Sequence, residues 1–420
     1  MPQRLLHKLS TTLKKPEFAQ DPGQTHRVIV ECQSRGADRI SNYVQDNQGR
    51  VHKELKVFPA LVVELSYEAI QDLTVSNQVK RIWYDSRVQA LLNVAVPVMG
   101  GMKAQESGFT GKGMTAAIID TGIYPHPDLA SPENRIIGWN DLVNGKTEPY
   151  DDNGHGTHVA GIIAGNGRAS NGRYKGVAPE ASLVGVKALD DSGSGNTSDI
   201  ITALEWCIDN RAQYNIKAIN MSLGSAAQDS YRSDPLCRAV TAAWNSGMVV
   251  CVAAGNSGPD AQTINSPGIT PTVLTIGNFD DKRTIDPADD QLSESSSRGP
   301  TIDNIAKPDI LAPGTGIVSL RVPMGYRALT GTSMATGFAT GSALLVLEKN
   351  PSFRPNQVKQ ELARNARNMN LETTMQGAGA LQLNGLFEES SGKSARFSLE
   401  NLGQYAPYAM LMLIPVLFGF

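Results

Sequence analysis

Ser333 sits in Gly331-Thr332-Ser333-Met334-Ala335, and an apolar run from Ala335 to Leu347 follows it. The run predicts a buried helix. A serine at a helix start has unpaired backbone N–H groups and the positive end of the helix dipole beside it. Both favour negative charge growing on an oxygen, as happens in acyl transfer. Ser and Thr are also ordinary helix caps, so this serine informs only if a base and an orienting acid lie elsewhere in the chain.

Three upstream stretches offer such groups. Met114 to Ile119 reads as an apolar strand ending on Asp120-Thr121-Gly122. That places a carboxylate at the edge where sites form in open α/β sheets, although Asp120 alone is equally a turn or cap. Asp151-Asp152-Asn153-Gly154-His155-Gly156-Thr157-His158 places two histidines at a Gly-rich helix start. Their three-residue spacing admits a metal reading, but no His-Glu-x-x-His pattern and no third ligand cluster accompanies them. Ala253-Ala254-Gly255-Asn256-Ser257-Gly258 follows another apolar strand. Asn256 is a turn residue on one reading and an N–H donor for an oxyanion on the other.

The elements that must hold these groups alternate. Strands are expected at Met114–Ile119, Leu183–Leu189, Ala218–Met221, Val249–Ala253 and Val273–Gly277. Helices are expected at His155–Ala164, Asp199–Asn210, Pro235–Ser246, from Ser333 onward, and at Pro355–Arg367. Short apolar strands alternating with helices predict an α/β fold with a mostly parallel sheet covered on both faces. Before Leu92 the order is strand-helix-strand, strand-helix-strand, with the segment Val79–Leu92 ending in the last strand, the split βαβ pattern of a small α+β domain. The expected organisation is a leader (1–24) that is poorly ordered or helical, a small domain (25–92), a large α/β domain (93–385), and a polar linker with an apolar tail (386–420).

With 40% hydrophobic and 19% charged residues, the 420-residue chain has the composition of a soluble globular protein. The net charge of −3 gives no surplus for nucleic acid. Cys32, Cys207, Cys237 and Cys251 show no metal-ligand spacing. Buried thiols are expected, with a Cys207–Cys237 disulfide left open. Residues 1–24 show no signal-peptide pattern, which favours a cytoplasmic location unless a signal has been trimmed. The tail Ala406–Phe420 is too short for a straight membrane span; packing on the protein or removal is favoured over membrane attachment.

Taken together, Asp120-Thr121-Gly122, Gly154-His155-Gly156-Thr157-His158, Ala253-Ala254-Gly255-Asn256 and Gly331-Thr332-Ser333-Met334-Ala335 resemble the motifs of the subtilisin-like serine proteases, in that family's order Asp, His, Ser. The resemblance spans about Val96 to Leu383. Glu205-Trp206-Cys207-Ile208, Ser297-Arg298-Gly299-Pro300 and Lys307-Pro308-Asp309-Ile310-Leu311-Ala312-Pro313-Gly314 look closest to its intracellular, AprX-type alkaline branch.

The resemblance implies a three-layer subtilisin-like domain preceded by a ferredoxin-like propeptide domain that acts as inhibitor and folding helper. It implies a serine endopeptidase working through an acyl-enzyme, with Ser333 as nucleophile, His155 as general base and then acid, and Asp120 orienting the imidazole. Asn256 and the Ser333 N–H would form the oxyanion hole. Ser222-Leu223-Gly224 and Gly193-Ser194-Gly195 would pair with an extended substrate. Ala253, Ala254 and Gly255 would line a pocket for a large apolar residue before the cut. Self-processing is expected near Leu91, Leu92 and Asn93. The partners implied are protein or peptide substrates and the chain's own propeptide; the chemistry needs no cofactor.

Two positions depart from the family pattern. Gly337 stands where a proline is usual, so a less rigid nucleophile helix is expected. The loop Asn166–Lys175, a calcium site in many relatives, has three basic residues and no carboxylate. Asp128, Asp280 and Asp281 remain as candidates for a structural calcium, with solvated charge the plainer reading. The rival functions are a binding module on the same fold and an esterase, although Gly-x-Ser-x-Gly is lacking.

Overall fold

The computed structural model describes residues 5–10, 12–14, 16–33, 36–55, 59–84 and 92–387. Leu91, the side chains of Leu92 and Asn93, and the tail Ala406–Phe420 lie outside the described residues. The chain divides into two compact units, 1–89 and 90–420.

The first unit is a four-stranded antiparallel sheet of β1 (Thr25–Cys32), β2 (Arg50–Leu55), β3 (Ala60–Ser66) and β4 (Val79–Tyr84), in the order β2-β3-β1-β4. Helices α1 (Ala37–Asp46) and α2 (Tyr67–Leu73) join the strands. Alternation in β1 sends Val28, Val30 and Cys32 to one buried face, where Ile40 and Val44 of α1 and Ile70 and Leu73 of α2 meet them. Leu9, Leu13 and Phe18 belong to the same core, and the Tyr67 hydroxyl donates to the Leu13 carbonyl at 2.7 Å. Of the expected segment Val79–Leu92, residues 79–84 form this strand and residues 85–91 lie outside the described residues. Leu92 instead opens a short helix, α3 (Leu92–Val98), because Ala95 and Met99, one turn apart, are both buried in the core of the second unit.

The second unit carries the larger sheet. Its strands are β5 (Thr115–Asp120), β6 (Ile136–Asp141), β7 (Ser182–Lys187), β8 (Ile216–Met221), β9 (Val249–Ala253), β10 (Leu274–Asp280), β11 (Gln291–Leu292) and β12 (Ile310–Pro313). The order is β11-β10-β9-β8-β5-β7-β6, with β12 also paired to β10; every pairing is parallel except β10 with β11. β6 and β12 were not foreseen. Every residue of β5 is buried, as a central strand covered on both faces requires. After β5 the chain builds β6 and β7 on one side of it and then β8 on the other, so the carboxyl end of β5 is a switch point.

Helix α4 (His155–Ala164) packs against helix α7 (Thr332–Lys349), and α7 lies across β8, β9 and β10. α5 (Thr197–Asp209) and α6 (Pro235–Asn245) pack on each other and reach β5 and β9. All of α7 from Thr332 to Leu347 is buried except Ser333, the pattern of a helix with no solvent face. Gly337 has a packing reason: a Cβ there would sit 3.1 Å from Ile162 Cγ2 and 3.2 Å from Ile162 Cβ on α4. Glycine lets the two helices approach, which a proline-based view of rigidity misses. A hairpin, β13 (Ile317–Leu320) with β14 (Tyr326–Leu329), leads into α7. No helix among the described residues is long and apolar enough to cross a membrane. All four cysteines are free and buried, so Cys207 and Cys237 form no disulfide.

Candidate active site

Asp120 ends β5 and is completely buried. Its Oδ1 accepts from the Thr121 N–H at 2.7 Å and meets His155 Nδ1, also at 2.7 Å, while Oδ2 is buried without a partner. A buried carboxylate on one ring nitrogen fixes the tautomer, with Nδ1 as donor and Nε2 left to accept. Burial by itself lowers the affinity of His155 for a proton. The charge and hydrogen bond of Asp120, with the charge of Asp151, outweigh burial and leave its pKa above the usual 6.5.

His155 stands at the start of α4 through a device that motif reading did not single out. The Asp151 carboxylate gathers the turn: Oδ1 accepts from Thr121 Oγ1 at 2.9 Å and from the Gly154 N–H at 2.7 Å. Its Oδ2 accepts from the Thr157 N–H at 2.8 Å and from the Thr157 hydroxyl at 2.6 Å. An acid here answers both the orphan N–H groups and the dipole of the helix. Lys187 is the second omission, and a lysine ending the apolar strand Ser182–Lys187 was its signal. Its fully buried Nζ donates to the carbonyls of Thr121 (2.7 Å) and Leu189 (2.9 Å) and to Asp152 (2.7 Å). It thereby ties the loop after Asp120 to the loop after β7.

His158 takes no part beside His155. Its Nε2 lies 3.1 Å from both the Ile317 and Arg327 carbonyls, and burial pushes its pKa down to about 3, so the ring is neutral. The candidate calcium ligands are also engaged. Asp128 accepts from the Ala169 N–H (2.7 Å) and the Tyr326 hydroxyl (2.8 Å). Asp280 pairs with Lys282 at 3.0 Å. Asp281 accepts from the Arg283 N–H at 3.0 Å, and burial pushes its carboxyl up to about 6. Among the described residues no group of three or more His, Cys, Asp or Glu side chains is arranged to hold a metal.

Ser333 is the second residue of α7, so its N–H lies in the first turn with no preceding helical carbonyl to take it. Its hydroxyl donates to the Ser222 carbonyl at 3.2 Å. The Asn256 side chain is anchored by its oxygen, which accepts from the Thr332 N–H at 2.9 Å and from the Thr332 hydroxyl at 3.2 Å. Its Nδ2 remains as a donor on an exposed residue.

Beside His155 lies a cavity of about 490 Å³. Both anticipated strand-like segments form its walls, Gly193-Ser194-Gly195 and Ser222-Leu223-Gly224, and Leu189, Ile200 and Leu236 add apolar side chains that sequence reading had not picked out. Ala253, Ala254 and Gly255 are not among its walls. Ala254 packs into a separate apolar cluster with Cys237, Ile264 and Ile269, and the Gly255 N–H donates to Thr332 Oγ1 at 3.2 Å. The arrangement is a buried acid, an oriented imidazole, a serine on a helix N-terminus and an amide donor, beside a groove of backbone and apolar walls. Chemically that is equipment for acyl transfer.

Comparison with known proteins agrees. Residues 111–379 match the model of the subtilase family, Peptidase S8. The chain is 43% identical over 387 residues to serine protease AprX of Bacillus subtilis (strain 168), covering 84% of this chain and 86% of that protein. It is 34% identical over 326 residues to subtilisin E of the same organism, covering 76% and 78%. Among solved structures, Sphericase aligns with a TM-score of 0.56 at 31% identity, over 65% of this chain and 92% of that one. A cold-adapted subtilisin-like serine proteinase aligns with a TM-score of 0.52 at 34% identity, over 65% and 88%.

Proposed function

This chain belongs to the subtilase family of serine peptidases, and on that premise we propose that it is an endopeptidase made as a self-processing zymogen, with Ser333, His155 and Asp120 as its triad. The observation that carries the assignment is the 2.7 Å contact of His155 Nδ1 with the buried Asp120 carboxylate, which leaves Nε2 as the free base.

The Ser333 hydroxyl turns from the Ser222 carbonyl to His155 Nε2, gives up its proton there and attacks the scissile carbonyl. Asn256 Nδ2 and the Ser333 N–H take the charge of the tetrahedral oxyanion. His155 then protonates the departing amine, and water activated by the same imidazole releases the acyl group from Ser333. Asp120 stays ionised and steadies the imidazolium. The substrate runs extended between residues 193–195 and 222–224. Backbone pairing there tolerates many sequences, and the apolar walls favour large apolar residues before the cut. None of these steps calls for a metal. The first unit serves as propeptide, and cleavage follows near Leu91–Asn93. Four free cysteines support a reducing compartment, the cytoplasm.

The test is maturation of purified protein without any other protease. Wild type should separate its N-terminal unit and hydrolyse a casein-type protein, and Ser333→Ala should stay full length. Equal processing of the variant would refute self-cleavage. A serine-directed inhibitor that spares casein hydrolysis while abolishing that of a short-chain ester would move the site to esterase chemistry.

A further inference from the structure

The hairpin β13–β14 is fastened to α4 close to His155, because His158 Nε2 bridges the carbonyls of Ile317 and Arg327. On β14, opposite Ser319, the Arg327 side chain turns to the residue before His155. A Cβ built on Gly154 would lie 3.1 Å from Arg327 Nη2 and 3.6 Å from its Cζ, and Gly154 has φ +91°. The positive φ favours glycine at 154, and its lack of a Cβ leaves room for the guanidinium beside it.

That guanidinium has no counter-charge among the described residues. Among the described residues none of its nitrogens makes a hydrogen bond or ion pair, and Nε is buried without an acceptor. A half-buried cation in this state is costly, and native structures seldom leave such donors unmet. The carboxylates on the segments around His155 are committed elsewhere: Asp120 to His155, Asp151 to the turn before α4, and Asp152 to Lys187. No side chain among the described residues supplies an acceptor for it. Arg327 is not among the residues lining the cavity that flanks His155, whose walls suit the substrate segment before the cut. Its place beside the residue before His155, the group proposed to protonate the departing amine, points to the segment after the cut.

We propose that Arg327 determines specificity, its guanidinium selecting substrates with a carboxylate side chain at the second residue after the cleaved bond. The inference rests on the assignment of Ser333 and His155 above. The planar fork of an arginine matches a carboxylate through two parallel N–H···O bonds, and partial burial protects such a pair from water. The substrate would supply the charge that the folded chain withholds.

The test uses internally quenched peptides identical except for Asp, Asn or Lys at the second residue after the cut. Wild type should favour Asp over Asn by about tenfold in kcat/KM, the scale of one charge-assisted hydrogen bond, and should cleave the Lys peptide slowest. The Asp-to-Asn ratio should fall toward one in Arg327→Met and be partly kept in Arg327→Lys. In wild type it should shrink at high salt, which reads the same charge should Arg327→Met not fold. A wild-type ratio within twofold of one, or an undiminished ratio in folded Arg327→Met, overturns the inference and leaves the triad assignment standing. Failure of wild type to cut any of the three peptides overturns both.

Discussion

Ser222 and Ser333 each bond the other's main chain. Ser222 Oγ donates to the Ser333 carbonyl at 2.8 Å, and Ser333 Oγ donates to the Ser222 carbonyl at 3.2 Å. Behind them, Asn220 Nδ2 donates to Ser222 Oγ at 2.9 Å, and the Thr340 hydroxyl reaches Asn220 Oδ1 at 2.9 Å. The backbone of Ser333, the proposed nucleophile, is thus pinned by a short bond, while its hydroxyl rests on a long one that is easily exchanged for an imidazole.

Ser222→Ala should therefore cost stability more than chemistry. It deletes the bond to the Ser333 carbonyl and strands the buried Asn220 amide, a loss of about 1–3 kcal/mol. The acceptor for the Ser333 hydroxyl is a backbone carbonyl and survives. Denaturant unfolding should register the loss, with turnover on a peptide amide falling by less than about tenfold. Unchanged stability with a collapsed turnover would reverse that division of labour.

Asn256→Leu keeps the volume of the side chain and removes its donor. An amide aimed at developing charge helps the transition state more than the bound substrate, so kcat should fall with KM nearly constant. Loss of the corresponding amide in subtilisin costs about 10²–10³ in turnover, and that borrowed figure is the expectation here. Turnover within about threefold of wild type, in a variant shown by thermal melting to be folded, would assign the oxyanion to another group.

The raised pKa of His155 predicts the acid limb of the pH profile. Only the neutral ring can accept the Ser333 proton, so kcat/KM should fall as pH drops through a value above 6.5. For stability the sign is opposite. The folded state holds this proton more tightly than the unfolded chain, so the benefit is complete below the unfolded value and is lost as pH rises through the folded one. Asp151→Asn removes one of the charges that favour the proton and keeps an acceptor oxygen, so the midpoint of the acid limb should move down. A midpoint that stays or rises contradicts this reading of the site.

Gly337→Ala tests the contact between the two central helices. Alanine gains up to about 1 kcal/mol of helix propensity, but overpacking against Ile162 costs about 1–3 kcal/mol because a β-branched side chain on a helix has essentially one rotamer. The variant should melt below wild type. Adding Ile162→Ala should make the Gly337→Ala step stabilising within the double-mutant cycle. A single variant that melts above wild type would show that the helices can give way.

Local sequence was enough for the alternating elements of the second unit, for the order of Asp120, His155, Asn256 and Ser333, and for the placing of three of them at strand or helix ends. Periodicity and glycine-flanked turns are properties of neighbouring residues, so they survive in a linear reading. Strands β6 and β12 escaped because their pairing with β7 and β10 joins segments far apart in the chain. For the same reason the hydrogen bonds around Asp151 and the lone charge of Arg327 have no linear signature. Arg327 is unremarkable between Tyr326 and Ala328, and only the folding of β14 onto Gly154 makes it a cation beside an imidazole. Leu92 shows the same limit: its apolar neighbours suited a strand, but burial of Ala95 and Met99 in the second unit selected a helix. Residue type and spacing determined which groups could do chemistry here. Tertiary packing decided which are buried, paired or left bare, because desolvation and charge act through space and not along the chain.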